Sequence, residues 1–569
     1  MRESSLDAKS FLKKIEEIVQ KKNLITHEKK AASYYKGFRF GEGKALAVIL
    51  PDSLIQLWQV ASTCVDADVI MIIQAANTGL TGGSTPYGEY DRDLVIISTV
   101  KIKNIQILDK GKQVISFPGS RLYELEKALN IYDREPHSVI GSSCIGASII
   151  GGVCNNSGGA LLQRGPAYTE MALYARIDEN HKLTLVNHLG INLGKDPETI
   201  LHSLENATYK ESDIEYPQRA ASNNEYQQRV RDIKANTPSR FNNDNRLLYE
   251  ASGCAGKLIV FAVRLDTFPK AKKEQVFYIG ANHTDTLTKI RHDILSHFKN
   301  LPISGEYMHR DYFDVCEKYG KDSFLVIEKL GSDKMPKLFS IKNSIDRTCD
   351  KYSFLPKNIS DKILQWVSYL FPNHLPLRLR QYRDQFEHHL MLHMSDEGVD
   401  EAKEYLKRFF ESNEGNYLEC SEEEGKKAFL NRFVAGGAAK RYHTLNPQFG
   451  PIMALDIALR RNEKEWFETL PPELDKLMEA KLYNGHFMCH VMHQDYILKS
   501  GVDENKVKNQ LLAFFDEKGA EYPAEHNVGQ LYKAKEALKA FYKKNDPTNS
   551  LNPGIGKTQK GKYWQDQNP

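Results

Sequence analysis

Apolar positions along this chain keep two different rhythms. The runs ALAVILP (45–51), DVIMIIQ (68–74) and LVIIST (94–99) are short and nearly continuous, which predicts strands buried on both faces. Between the first two, SLIQLWQVASTC (53–64) sets Leu54, Leu57, Ala61 and Cys64 at helical spacing. IQILDKGKQVISFPG (105–119) reads as a hairpin turning at Asp109 to Gly111, because Asp-Lys-Gly between β-rich arms is a turn signal. RLYELEKALNIYD (121–133) predicts a helix, MALYARI and KLTLVNHLG predict strands, and residues 204–245 read as polar, irregular surface.

The alternation resumes at KLIVFAVRLDTF (257–268), a strongly buried strand. FYIGAN follows as a strand, DTLTKIRHDILSHF as a helix and SFLVIEKL (323–330) as another β-rich piece. Beyond an intervening segment, EHHLMLHM, VDEAKEYLKRFFES and GNYLEC repeat the order strand, helix, strand. The pattern predicts an α+β chain with a boundary near 268–273 and a second domain built from discontinuous pieces. At 569 residues, three or four packing units are expected.

Two stretches interrupt these rhythms. His137 to Gly159, HSVIGSSCIGASIIGGVCNNSGG, holds six glycines and no Asp, Glu, Lys or Arg. Glycine at this density argues against a stable helix and suits backbone that approaches an anion or a ring closely. A buried strand-turn-strand without a ligand is the other reading. QAANTGLTGGSTP (74–86) follows a predicted strand, so the two glycine loops together point to one extended ligand. Gly79, Gly82 and Gly83 do not fit the dinucleotide fingerprint, which argues against a nicotinamide cofactor.

Charge changes the picture in one place only. The net charge is +3, so no global nucleic-acid field exists, yet Lys334 to Arg383 carries ten Lys or Arg against three Asp. Trp, Phe and Leu interleave with these charges, the pattern of interfacial membrane binding; a solvated basic surface or a nucleic-acid patch is the alternative. GKKAFLNRFVAGGAAKRY (425–442) has five basic residues, no acidic one, and Phe429, Phe433 and Val434 at helical spacing. The amphipathic N-terminus lacks a signal-peptide core, and no run of about 18 apolar residues exists. Scattered cysteines without a C-x-x-C pair fit a reduced, cytoplasmic setting.

Chemistry concentrates near the C-terminal end. NGHFMCHVMHQDY sets His486, His490 and His493 within eight residues, and AEHNVG later places Glu525 beside His526. On a helix, His486 and His493 would share one face, and three imidazoles with a carboxylate could bind a metal, supply a base, or serve as buried structural histidines.

NTGLTGGSTP, GSSCIGASIIGGVCNNSGG and GPAYTE resemble the flavin-binding domain of the vanillyl-alcohol-oxidase, or PCMH-type, flavoproteins. From about Phe11 onward, through RGPAYTEM, SGCAGKL, GEYMHRD, GHFMCHVMHQDY, YPAEHNVG and DPTNSLNPGIGKT, the chain is similar to the bacterial quinone-dependent D-lactate dehydrogenase family. The resemblance implies a two-subdomain FAD-binding domain (1–267, rejoined by 518–569) and a discontinuous cap (268–308, 386–423 and 448–517). A basic, partly helical membrane-contact region (309–385 and 424–447) completes this expected division.

It further implies oxidation of D-lactate, electron transfer to ubiquinone or menaquinone, and peripheral attachment to anionic phospholipid at the cytoplasmic face of the inner membrane, without nucleic acid. Related D-2-hydroxyacid enzymes carry paired histidines followed by Glu-His-Gly. These match His486, His493, Glu525 and His526, with His526 as the expected base, although Asn527 replaces the Gly and leaves metal binding open. FAD contacts are expected from Ala75, Ala76, Asn77, Thr78, Gly79, Gly83, Ser84, Gly141, Ser148, Gly158 and Val260, and the link is expected to be non-covalent, since no histidine lies between Gln74 and Ser84. A soluble dehydrogenase or oxidase of another D-2-hydroxy acid, or a non-enzymatic binding protein, remains the alternative. Candidate guanidinium groups for a substrate carboxylate are Arg310, Arg383, Arg460 and Arg461.

Overall fold

The computed structural model describes residues 7–138, 146–216, 218–242, 244–331, 334–349, 352 and 358–566. Three main sheets organise it. In the first, Ala47–Ile49, Leu94–Ser98 and Ile70–Gln74 run parallel, with Leu24–Ile25 antiparallel at one edge. The second is wholly antiparallel, in the order Ile105–Leu108, Gln113–Ser116, Ile259–Asp266, Ala172–Ile177, Leu183–Asn187. Helices Ala8–Val19, Leu54–Asp66 and Pro197–Glu205 close the apolar core shared by these two sheets.

The third sheet has seven antiparallel strands: Asn416–Glu419, Glu274–Ala281, His388–Ser395, Ser304–His309, Met478–His486, Val491–Leu498 and Ile452–Ala458. Both faces are covered. Helices Thr284–His297, Glu397–Phe409 and Glu504–Glu517 pack on one. On the other, Arg310–Tyr319, Glu422–Phe433 and Ala435–Leu445 share a core that includes Phe313, Cys316, Ala428 and Ala438.

The hairpin at Asp109–Gly111 and the strand-helix-strand of 388–419 form where the patterning puts them. SFLVIEKL does not: Lys321–Leu330 is a helix that buries Phe324. A short apolar run carries no period of its own, and here packing decides the conformation. The glycine stretch also holds one helical turn and a half, Ile149–Cys154, which Ser148 caps by accepting from the Gly151 N–H at 3.1 Å. The C-terminal tail returns to the first sheet, where Met71 and Asn552 exchange backbone hydrogen bonds with Ser550 and Met71.

Candidate active site

Four neighbouring strands of the seven-stranded sheet build the site. Residues directly opposite in an antiparallel pair point to the same face. Glu306 lies opposite His486, and one step along the same face Asn484, His493 and Asp456 stand in one row. The paired histidines therefore share a face through a β-hairpin, not through the helix their spacing of seven would allow. His490 occupies the turn at φ 56°, binds the Arg460 carbonyl at 3.0 Å and is buried away from this row, as a structural histidine.

The segment Ala524–Asn527 is laid over this row. Asp456 accepts from the Glu525 backbone N–H at 2.8 Å, and His526 Nδ1 sits 2.7 Å from the same oxygen. His486 Nε2 is 3.2 Å and His493 Nε2 3.5 Å from the Glu525 carboxylate, while Arg240 donates to it from a fully buried position. On the far side His486 Nδ1 meets Glu306 at 2.6 Å, and Arg432 reaches Glu306 at 3.3 Å. Among the described residues, His486, His493 and Glu525 offer donor atoms within 4.8 Å of one another, a set able to hold a metal ion.

Electrostatics separates the two outer histidines. Burial opposes a charge on His486, but the carboxylates of Glu306 and Glu525 outweigh it and raise its pKa to about 10, which favours the cation unless a metal ion takes its lone pair. Burial likewise opposes the charge on His526, and Asp456 raises it. Burial alone would raise Glu525; His486 and Arg240 hold it well below the usual carboxylate range. His526 differs in access: its side chain is 32% exposed, against 12% for His486 and 11% for Glu525. With Nδ1 held by Asp456, Nε2 is its open nitrogen, the geometry of an oriented base.

Asn527 joins this site to both glycine loops. Its carbonyl accepts from Thr81 at 2.8 Å, and its side-chain amide donates to Asn155. The departure from Glu-His-Gly thus has a local reason: the amide ties loop to loop. In the first loop Ala75, Ala76, Asn77, Thr78, Gly79, Gly83 and Ser84 follow the strand Ile70–Gln74, with Ser84 donating to Asn77 at 3.0 Å. A Cβ on Gly79 would meet nothing within 4 Å, and on Gly83 nothing closer than 3.8 Å, so the loop borders open space. Asn552 Oδ1 and Gln530 Nε2 are buried without a partner beside it. Open backbone and unused polar groups fit a flavin dinucleotide lying along this seam.

The other expected contacts separate. Ser148 caps its short helix, and Val260 is buried beside a β-bulge in the second sheet, packed with Ile149, Ile150 and Val153. Gly158 has a neighbour of its own, because a Cβ there would lie 2.5 Å from Arg240 Nη1 and 3.2 Å from Glu525. Gly141 lies outside the described residues. The four candidate arginines are placed elsewhere: Arg383 on Asp314 and Asp384, Arg460 on Asn236 and Glu463, Arg461 on Thr237 and Asp232. Arg310 opens the helix 310–319, where its charge acts on Asp311, His388 and His389. Sequence reasoning missed Asp456, Glu306, Arg240 and Arg432, which carry no local motif.

Solved structures share this architecture. p-Cresol methylhydroxylase with substrate bound aligns with a TM-score of 0.57 at 13% identity over 98% of both chains. 4-Ethylphenol oxidase from Gulosibacter chungangensis aligns at 0.58 and 12%, again over 98% of both. Residues 45–177 match the family model of an FAD binding domain, and with this fold they define an FAD-dependent flavoprotein of the PCMH type. Residues 276–564 match the model described as D-lactate dehydrogenase, membrane binding. Two relatives are quinone-dependent D-lactate dehydrogenases. That of Escherichia coli is 57% identical over 99% of both chains; that of Haemophilus influenzae is 53% identical over 98% of this chain and all of its own. The chain belongs to the quinone-dependent D-lactate dehydrogenase family.

Proposed function

We infer that this chain oxidises D-lactate to pyruvate with FAD and passes the electrons to a membrane quinone, as the name of its family states. The single observation that carries the mechanism is His526, held at Nδ1 by Asp456 at 2.7 Å with its side chain partly exposed. Oxidation at Cα requires removal of the hydroxyl proton, and neutral His526 takes it at Nε2. Bound FAD would supply the acceptor for the hydride that leaves Cα. Asp456 stabilises the imidazolium that forms. The His486 cation and the Glu525 carboxylate stay charged throughout, fixing the field around the substrate. The backbone of 75–84 and Ser148, Gly158 and Val260 support the FAD site, held non-covalently.

The test is the visible spectrum of the flavoprotein before and after anaerobic D-lactate and, separately, L-lactate. Bleaching by D-lactate alone is expected. Reduction by both or by neither would refute the assignment.

We propose further that the membrane is met through the helix Ile359–Ser368, which is inverted. Its polar residues Ser360, Asp361, Gln365 and Ser368 are buried, with Asp361 on Lys342 and Arg441 and Gln365 on the Lys318 carbonyl. Ile363, Trp366 and Leu370 point outward, and Trp366 is 65% exposed. An apolar face turned to solvent beside basic side chains suits an anionic phospholipid surface. The companion segment 425–442 is different: Val434 is buried, Phe429 half-buried, and Phe433 the exposed member. Several of its cations are paired, Lys427 with Glu423 and Arg441 with Asp322 and Asp361. Lys351 and Lys357, and the side chains of Lys337 and Arg347, lie outside the described residues.

Among the described residues no helix is long and apolar enough to cross a bilayer, which supports peripheral attachment, and free thiols without a disulfide support the cytoplasmic face. Trp366→Asp with Leu370→Asp is expected to weaken binding to phosphatidylglycerol vesicles at least about tenfold. Unchanged co-sedimentation would remove this helix from the contact.

A further inference from the structure

The site as built lacks a declared anchor for the substrate carboxylate. Guanidinium groups at the cluster are already engaged, Arg240 on Glu525 and Arg432 on Glu306. Arg39 is not. It lies on the N-terminal loop 36–43, upstream of both matched family regions, and its side chain makes no hydrogen bond or ion pair among the described residues.

The loop's position is well determined by packing. Gly41, at φ 89°, lies so close to the first glycine loop that a Cβ would sit 2.5 Å from Thr85 Oγ1 and 3.0 Å from the Gly82 Cα. Its backbone carbonyl accepts from the Gly37 N–H at 2.8 Å, closing a tight turn. From that turn Arg39 reaches across to the helix Ala435–Leu445, where its Nη2 lies 3.2 Å from the point a Gly436 Cβ would occupy. The guanidinium, on an exposed residue, therefore lies between the FAD-side loop and that helix. Its charge acts on His526 and on Asp495, which lies on the same sheet face as His493.

We propose that Arg39 is a substrate-binding residue that pairs with the carboxylate of the 2-hydroxy acid and sets its hydroxyl towards His526. This rests on the reading of the chain as a D-2-hydroxy acid dehydrogenase and adds the group that selects the acid. An unpaired guanidinium within electrostatic reach of His526 is a suitable partner for a small carboxylate, which it binds through paired N–H donors. A 2-hydroxy ester, having no anionic carboxylate, gains nothing from it.

The test is anaerobic reduction of the FAD-loaded, full-length enzyme, wild type against Arg39→Met and Arg39→Lys, titrated with D-lactate and with methyl D-lactate. Bleaching of the wild type by D-lactate checks the underlying reading by itself. For Arg39→Met, the apparent Kd for D-lactate is expected to rise about 10- to 100-fold, the loss of one charged hydrogen-bonded partner, with the limiting reduction rate within about threefold. Reduction by the ester is expected to be unchanged, and Arg39→Lys to recover part of the affinity. A Kd within twofold of wild type in Arg39→Met would overturn the proposal. So would equal losses for acid and ester, or a selective loss of acid binding in Arg432→Met while Arg39→Met is silent, which would move the anchor to the helix Glu422–Phe433.

Discussion

Asp456→Asn tests the base assignment most directly. In the native site one carboxylate oxygen receives both the Glu525 N–H at 2.8 Å and His526 Nδ1 at 2.7 Å. An amide at this position keeps one acceptor oxygen and presents an NH₂ to the other side. If the oxygen stays with the backbone N–H, His526 faces a donor and must place its own proton on Nε2, the nitrogen that should be the base. Loss of the charged hydrogen bond alone, about 1.5–3 kcal/mol, corresponds to roughly 10- to 150-fold, and reversal of the tautomer extends this towards 10⁴. The pH profile supplies a second readout. Because the imidazole must be neutral, the reduction rate rises with pH through the His526 pKa. Burial lowers that pKa and Asp456 outweighs it, so removing the Asp456 charge leaves burial, the largest influence, and Arg39 to lower it against Glu525 alone, which raises it. The acid limb is therefore expected to move to lower pH while the plateau falls. Stopped-flow anaerobic reduction by D-lactate, across pH 5 to 9, reads both. A plateau within threefold of wild type, or an acid limb that stays in place while the rate falls, would refute the pairing of Asp456 with a catalytic His526.

Two further outcomes follow from buried groups. Glu468 accepts from Tyr496 at 2.6 Å and from Gln494, and burial raises its pKa to about 7. The folded state thus favours the protonated form, so stability present below about pH 4.5 is lost as pH rises to about 7, by roughly 3 kcal/mol. Glu468→Gln keeps the shape, and rotation of the Gln494 amide restores the hydrogen bond, so its thermal midpoint should exceed wild type more at pH 8 than at pH 5; equal differences would exclude the linkage. Gly158→Ala inserts a methyl 2.5 Å from Arg240 Nη1, on a buried guanidinium whose Nη2 holds Glu525 and restrains its withdrawal. Overpacking of about 1–3 kcal/mol should appear as a lower thermal midpoint and slower reduction by D-lactate, and a variant indistinguishable in both would show that Arg240 is free to move.

Much of this molecule is local and therefore legible along the chain. Continuous apolar runs fix the parallel strands of the first sheet, and the Asp-Lys-Gly turn fixes the hairpin of the second. Residues 323–330 read as a β-rich piece and form a helix, because a short apolar run satisfies strand and helix alike and burial of Phe324 selects the helix. The inverted helix shows the same limit: KILQWVSYLF displays an apolar stripe, but which side meets the protein depends on Lys342, Arg441 and the Lys318 carbonyl waiting for its polar residues.

Sequence names His486, His493, Glu525 and His526 as a candidate set, and tertiary structure decides their roles. His486 has its pKa raised because Glu306, 180 residues away, lies opposite it in the sheet, and His526 is held at Nδ1 because Asp456, 70 residues away, lies under it. Spacing records the donors. The charge on each is set by burial and by partners that only strand register brings within hydrogen-bond range.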